Sequence, residues 1–376
     1  MDLNTFAAVF GTPGRAAGDP VWSTAKAFIQ AAGAWDRLDA LYLYAMGETD
    51  GLVNLISPGT NDTTLVGSPA FTEKIGWISS TGNYLNSNLI CDQLTKYQQD
   101  DACIIFMTDT ATGNTAQQFG AFDGTVRNYG RVRSATGAGR VYINSAGSGD
   151  WAETNGAGLW IFNRTASNAT AFYREMVARD SDTDASNGRV GTYPMFLGTF
   201  NNLGSPSTIN PARIMAFGAG ASLDAAQRYG LQKGLVYWLG NQNNNIITNG
   251  TFDADTHWIL GTGWTISGGT LNCNGSATVQ VATYDDDDDG AADNILASQK
   301  TYLLSFDVVV NSGAFECYTG GGLIYWNETE HLISSSGHYD IPVRNYSGAD
   351  EHFYFRNGSS FDGSIDNVTI KPIIAP

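Results

Sequence analysis

Residues 302–310, YLLSFDVVV, place Tyr302, Leu304, Phe306, Val308 and Val310 on one parity. Successive side chains of a strand point to opposite faces, so one apolar face of five residues commits this segment to a layered sheet. The same grammar recurs upstream in short apolar runs at 38–46, 102–110, 139–144, 157–165, 192–200 and 211–220, each bounded by Gly, Asn, Asp or Pro. In 38–46 bulky residues occupy both parities, Tyr42 and Tyr44 against Leu41 and Leu43, which predicts a central strand covered on both sides. Near the C-terminus, Val368 and Ile370 share one parity and Ile365 the other, so a bulge is expected near Asp366–Asn367. The expected class is all-β, two β-sandwich (jelly-roll) domains with one or two short helices in the first.

Composition agrees. Charged residues make up 15% of the chain and glycines number 44, a turn-rich balance that suits sheets better than helical bundles. Two helices are expected all the same. One runs from a Ser222 cap, with Asp224 in its first turn, to Leu239 and stops at Gly240; its Gly230 and Gly234 would let it approach a sheet closely. The other covers Ser23 to Ala32 and ends at Gly33.

The 376 residues suit two domains. The polar stretch GNQNNN, 240–245, reads as the joint, giving an arm over 1–27, a sandwich over 28–240, a linker over 241–245 and a second sandwich over 246–376. Charge divides there too: 16 Lys and Arg against 20 Asp and Glu up to residue 245, then 4 against 17, so −4 and −13 of the total −17. Such acidity argues against nucleic acid and anionic membranes as partners. Residues 1–20 lack a cationic start followed by an apolar stretch, which predicts a chain made in the cytoplasm and kept from the common export route. The arm carries Phe6 and Phe10, placed either to lie on the protein's own surface or to dock on another subunit. Cys91, Cys103, Cys273 and Cys317 lack zinc spacing; they are free thiols, or Cys91 pairs with Cys103 or Cys273 with Cys317.

Residues 28–89, with LYLYA, LVNL..PGT, SPAFT…GW and YLNS in order, resemble the start of the concanavalin A-like lectin/glucanase domains of phage virion proteins; SLDAAQRYGLQKGLVYWL matches the closing helix of that family. Residues 246–373 resemble carbohydrate-binding-module jelly rolls through NGTFD, GWTISGG, YLLSFDV and GSIDNVTI. The resemblance implies a structural subunit of a tailed-phage particle: capsid decoration, head fibre or tail-associated. Its partners would be other virion proteins and further copies of itself, as a homo-oligomer, and its second domain would reach host surface glycans. The alternative is an adhesin or receptor-binding tail fibre; a polysaccharide-degrading enzyme is the third reading.

Glycan hydrolysis needs two carboxylates flanking the scissile bond. No E-x-D-x-E run occurs, and Glu48–Asp50 and Asp180–Asp182–Asp184 fall in turn-like sequence where carboxylates are solvated. The four histidines are expected on the surface or in the core rather than in a triad, so the protein is expected not to be an enzyme. Sugar binding uses aromatic faces, and Trp258, Trp264, Tyr318, Tyr325 and Trp326 are the candidates. Tyr325 and Trp326 are adjacent, so in a strand one of them points outward.

Calcium is the one cofactor suggested. Asp285, Asp287 and Asp289 stand at alternate positions before Gly290, with Asp293 at the ninth place, as in a calcium loop; Leu296 takes the place of the closing Glu. The other reading of this run is a solvated hairpin tip. The jelly-roll resemblance implies a different calcium position, at Asn249, Asp253 and Asp366.

Overall fold

A computed structural model describes residues 19–110, 114–147, 149–275, 281–285, 292, 295–298, 300–319, 322–323, 332–345 and 352–373. By contact the chain divides into two compact units after Gly234. The expected 241–245 linker is therefore not where the units part. The reason is local: the second helix runs through Asn241, and Asn245 is fastened rather than free. Its Oδ1 accepts from Ile247 N (3.1 Å) and Ile370 N (2.8 Å), tying it to the closing strand of the second unit.

The first unit is a sandwich of two largely antiparallel sheets, and it also holds a small three-stranded sheet of Arg213–Ile214, Gly76–Ile78 and Ala70–Thr72. A six-stranded sheet runs, in order, Leu38–Leu43, Ala216–Gly220, Ala102–Thr108, Gly158–Ala166, Ala169–Arg174 and Val177–Asp182. A nine-stranded sheet faces it, with Gly149–Ala152, Ala138–Ser145, Arg127–Arg131 and Phe119–Phe122 side by side at one end. Phe119 of the second sheet meets Phe106, Phe162 and Phe217 of the first at 5.0, 5.8 and 6.0 Å. Trp151 likewise meets Trp160 at 5.4 Å and Phe172 at 5.3 Å. Such ring pairs add about 0.5–1.5 kcal/mol each beyond the area they bury. Buried Arg164 staples the layers as well, donating from one sheet to the Ile143 carbonyl of the other at 2.8 Å.

The far face of the six-stranded sheet is also closed. Leu41, Leu43, Ile105, Met107, Leu159 and Ile161 are all buried. The start of the helix Ala225–Asn241 meets this face, its Arg228 guanidinium 3.7 Å from the centre of the Tyr173 ring. Leu38–Leu43 is thus buried on both sides, as expected, yet it is the edge strand and not a central one. Burial above and below reports on layers, not on in-plane neighbours. The open edge is satisfied by a loop: Leu41 N donates to Asn54 Oδ1 (3.2 Å), and Leu55 N donates to Leu41 O (2.8 Å).

Both helices are capped by an aspartate, Asp19 in the first and Asp224, expected in the first turn, in the second. Pro20–Ala31 starts at Asp19, whose Oδ1 accepts from Val21 N at 2.8 Å, with Pro20 in the first turn, where a missing N–H costs nothing. Ala225–Asn241 starts with a reciprocal box in which Gln227 N donates to Asp224 Oδ1 (2.8 Å) and Asp224 N to Gln227 Oε1 (3.0 Å). Ser222 is no cap; its N and Oγ both donate to Asp101. Gly240 does not end the helix, which continues one residue further. Gly230 and Gly234 do permit close approach, but to the first helix: added Cβ atoms would stand 2.2 Å from Ala32 Cβ and 2.5 Å from the Ala25 carbonyl.

The second unit is one eight-stranded antiparallel sheet folded on itself around an aromatic core. Its axis is the pairing of Thr301–Thr319 with Phe353–Pro372. Tyr302, Leu304, Phe306 and Val308 point inward, with Val310 half-buried against the core, as the alternation requires; Leu303 on the other parity is buried too. Irregularities near Val310 and Ala314 then shift the phase, so that Phe315 and Cys317 face inward in the second half. The expected bulge at Asp366–Asn367 is present: Asp307 pairs with Asp366, Ser305 with Thr369, and Asn367 takes φ 53°. All four cysteines are free and buried.

Gly234→Ala should lower Tm. Helix propensity favours alanine by about 1 kcal/mol, but forcing a methyl into the helix contact costs about 1–3 kcal/mol. A raised Tm would contradict the close packing of the two helices.

Candidate functional site

In the second half of the Thr301–Thr319 strand, Phe315 and Cys317 point inward, so Glu316 and Tyr318 point out. Across the ladder Phe353 and Phe355 are buried, which turns Tyr354 and Arg356 to the same outer face. Register then pairs Tyr318 with Tyr354 and Glu316 with Arg356. The tyrosine rings stack at 5.5 Å with an interplanar angle of 18°. The Arg356 guanidinium lies 3.8 Å from the centre of the Tyr318 ring and is held by Glu316, with Nε donating to Oε2 at 2.8 Å. Burial opposes the charge of Arg356, but hydrogen bonds and the charge of Glu316 outweigh it and raise its pKa. The next strand, Val281–Tyr284, places Thr283 beside Tyr354, and Ile259 beside Thr283 in turn. The result is a two-ring plate braced at one edge by an ion pair, with the buried Thr283 at the other.

Of the sugar-binding candidates, Tyr318 is on this plate. Trp258 and Trp264 are not. They are 7% and 3% exposed, and their indoles are taken up by core rings: Trp258 by Phe252, Tyr284 and Phe355, Trp264 by Phe361. Both open short strands, Trp258–Leu260 and Trp264–Ser267, on the inward parity, so no sugar can reach their faces. Tyr325 and Trp326 lie outside the described residues, as do Phe6 and Phe10. Tyr354, Arg356 and Glu316 were missed. Their alternation with Phe353 and Phe355 is a sequence signal, but which parity faces outward depends on the shift near Ala314.

Among the calcium-loop candidates, Asp287, Asp289 and Asp293 lie outside the described residues. Asp285 is buried, and its backbone N donates to His257 O at 3.0 Å, so it ends a strand instead of opening an exposed loop. Asn249, Asp253 and Asp366 each serve a local turn: Asn249 Nδ2 donates to the Ala254 and Thr256 carbonyls, Asp253 accepts from Thr251, and Asp366 accepts from Asn367 N. Among the described residues no group of three or more His, Cys, Asp or Glu side chains could hold a metal ion.

A second polar cluster sits on the outer face at the start of the same strand. Ser305 opposes Asp340 and Asp307 opposes His338. His338 Nδ1 lies 2.8 Å from Asp307 Oδ1 and its Nε2 lies 3.3 Å from Asp340 Oδ2; Asn367 Nδ2 donates to Asp307 Oδ2 at 2.7 Å. The Ser305 hydroxyl donates to Asp340 (2.6 Å) and not to the imidazole, so the histidine has no hydroxyl nucleophile to activate there. Burial alone would lower the His338 pKa, but hydrogen bonds and charge from Asp307 and Asp340 raise it above the usual 6.5. Asp307 is held low, first by the Asn367 amide and then by His338.

In the first unit Asp180 and Asp182 lie on the edge strand Val177–Asp182, and not in a turn as expected. Asp184 follows and shares a side-chain hydrogen bond with Asp182; burial and that neighbour raise its pKa. The carboxylate of Glu153 is fully buried between Arg174 (2.9 Å) and Arg179 (3.2 Å).

No family model matches this chain, and no curated protein matches it. Among solved structures it is similar to domain 4 of AbnA, a GH43 extracellular arabinanase from Geobacillus stearothermophilus, in complex with arabinotriose: 18% identity, 52% of this chain, 98% of that one, TM-score 0.39. It is also similar to the botulinum neurotoxin serotype D binding domain, at 10% identity over 90% of this chain and 93% of that one, TM-score 0.40. The NanB sialidase of Streptococcus pneumoniae follows at 12% identity, 74% and 63%, TM-score 0.29. Likenesses this distant place no residue of this chain in a role.

The histidine cluster makes stability depend on pH. The raised His338 pKa means a contribution present below its unfolded value and lost as pH rises through the folded one; lowered Asp307 contributes above its unfolded value and loses this as pH falls. The Tm difference between wild type and His338→Gln should therefore peak at about pH 5, between the ordinary carboxylate and imidazole ranges, and shrink as the pH rises through the raised imidazole value. Exposure of the imidazole keeps it small. A difference that grows with pH would contradict the pairing.

Proposed function

We propose that this protein is a non-enzymatic structural subunit of a tailed-phage particle that adheres to glycans through the outer face of its second unit. The observation that carries the glycan reading is the Tyr318–Tyr354 plate with its Arg356–Glu316 brace. Stacked rings give a sugar an apolar face, and the flanking guanidinium and carboxylate supply hydrogen bonds to its equatorial hydroxyls. The brace fixes the rings before binding, so little side-chain entropy is lost on contact.

The particle role rests on the resemblance of residues 28–89 to virion domains. The non-enzymatic reading is supported by how the first unit's carboxylates are used. Glu153 is taken up by Arg174, Arg179 and the N–H groups of Thr154 and Asn155. Asp182 is engaged by its neighbour, accepting from Asp184 N at 3.1 Å.

A glycan array should identify a bound saccharide, and titration calorimetry should show Tyr354→Ala weakening it about tenfold, the loss of about 1.4 kcal/mol expected for one stacking ring. The same saccharide should yield no new reducing ends on incubation, and the protein should be found among particle proteins by mass spectrometry. Unchanged affinity in a folded Tyr354→Ala variant would sink the glycan reading; turnover would sink the non-enzymatic one.

A further inference from the structure

The outer face of the nine-stranded sheet in the first unit carries another aromatic surface, of opposite charge to the chain as a whole. Strands Arg127–Arg131 and Ala138–Ser145 pair with Tyr129 opposite Tyr142 and Arg131 opposite Arg140. Asn128, Gly130, Val141 and Ile143 on the alternate parity are buried, which turns the tyrosines and arginines outward. The Tyr129 ring lies 4.6 Å from Tyr142 and 4.5 Å from Phe200. Gly120 is the partner of Tyr129 on its other side, and a Cβ there would stand 2.5 Å from Tyr129 Cβ, so the ring needs the bare glycine.

The charges on this face do not cancel. Arg131 and Arg140 are like charges directly across the ladder, an arrangement that is destabilising by itself. Arg140 is paired with Asp150 at 2.7 Å. Arg127 donates to the Ala146 carbonyl and stands 5.3 Å from the rings of Phe122 and Tyr142. Arg131 donates to the Thr115 carbonyl at 2.9 Å, and its Nε has no hydrogen-bond partner among the described residues. Among those residues neither Arg127 nor Arg131 forms an ion pair. Among the described residues these three guanidinium groups have one ion pair between them, Arg140 with Asp150, on a protein of net charge −17.

We propose that this face binds a carboxylate-bearing saccharide, a uronic-acid unit, with the sugar ring on Tyr129, Tyr142 and Phe200 and the carboxylate on Arg131. A planar guanidinium matches a carboxylate in a way that a point charge does not, and an anion between Arg131 and Arg140 relieves their repulsion. A neutral glycan would leave that repulsion in place. The site is separate from the Tyr318–Tyr354 plate and does not depend on it.

The test is calorimetry on the full chain with an oligogalacturonate and with its methyl ester, which keeps the ring and removes the charge. The acid should bind, the ester about tenfold more weakly or not at all, and added salt should weaken the acid. Arg131→Gln and, separately, Tyr142→Ala should each cost about tenfold; Tyr354→Ala, measured alongside, reports on the second-unit plate. Equal affinity for acid and ester overturns the proposal without recourse to any variant. So does failure of the wild type to bind the acid, or unchanged affinity in Arg131→Gln with an unchanged melting curve. If binding follows Tyr354 instead, the second-unit reading survives and this one does not.

Discussion

The second unit depends on one pairing, that of the Thr301–Thr319 and Phe353–Pro372 strands, and on where that ladder loses step. A strand shows its faces alternately, so each one-residue slip exchanges inside for outside. The irregularities near Val310 and Ala314 bring Phe315 and Cys317 into the core and leave Glu316 and Tyr318 outside. The bulge at Asn367 does the same on the partner strand, where Ile365 and Val368 both face inward although they differ in parity. Without these slips the tyrosine plate would be buried and core phenylalanines exposed. Fold and candidate site are therefore set by the same few backbone irregularities.

The first unit meets the same demand by other means. Its six-stranded sheet is apolar on both faces and needs two covers: the nine-stranded sheet on one side and a helix on the other. That leaves the nine-stranded sheet as the layer with an outer face, where alternation puts tyrosines and arginines in place of core residues. In both units a candidate binding surface is what remains of a sheet after its inner face has been spent on stability. Neither surface needs a loop of special shape, since rings on adjacent strands already stand at stacking distance.

Much of this was legible in the sequence, and what was not has identifiable causes. The alternation of 302–310 and the slip at Asp366–Asn367 are local patterns, and both describe the structure. The helices were placed, but their starts were assigned to serines when Asp19 and the Asp224–Gln227 box supply the caps. Trp258 and Trp264 stand as sugar-binding candidates in the sequence because strands of three or four residues carry too little alternation to fix a parity. The 38–46 run was read as central because side chains report layers and not strand order. The Gly230–Gly234 spacing announced a close approach but not its partner. His338 with Asp307, and Tyr318 with Tyr354, were illegible in principle, since each pair is joined only by register between strands 31 and 36 residues apart.

The claim at the centre of the account is that the Tyr318–Tyr354 plate is where the second unit meets a sugar. A crystal structure of the full chain with the array-selected saccharide bound tests it most directly. The account predicts a pyranose ring lying flat on Tyr354 and Tyr318, with Arg356 or Glu316 hydrogen-bonded to its hydroxyls. Sugar density elsewhere on the second unit, with that plate bare, would contradict it.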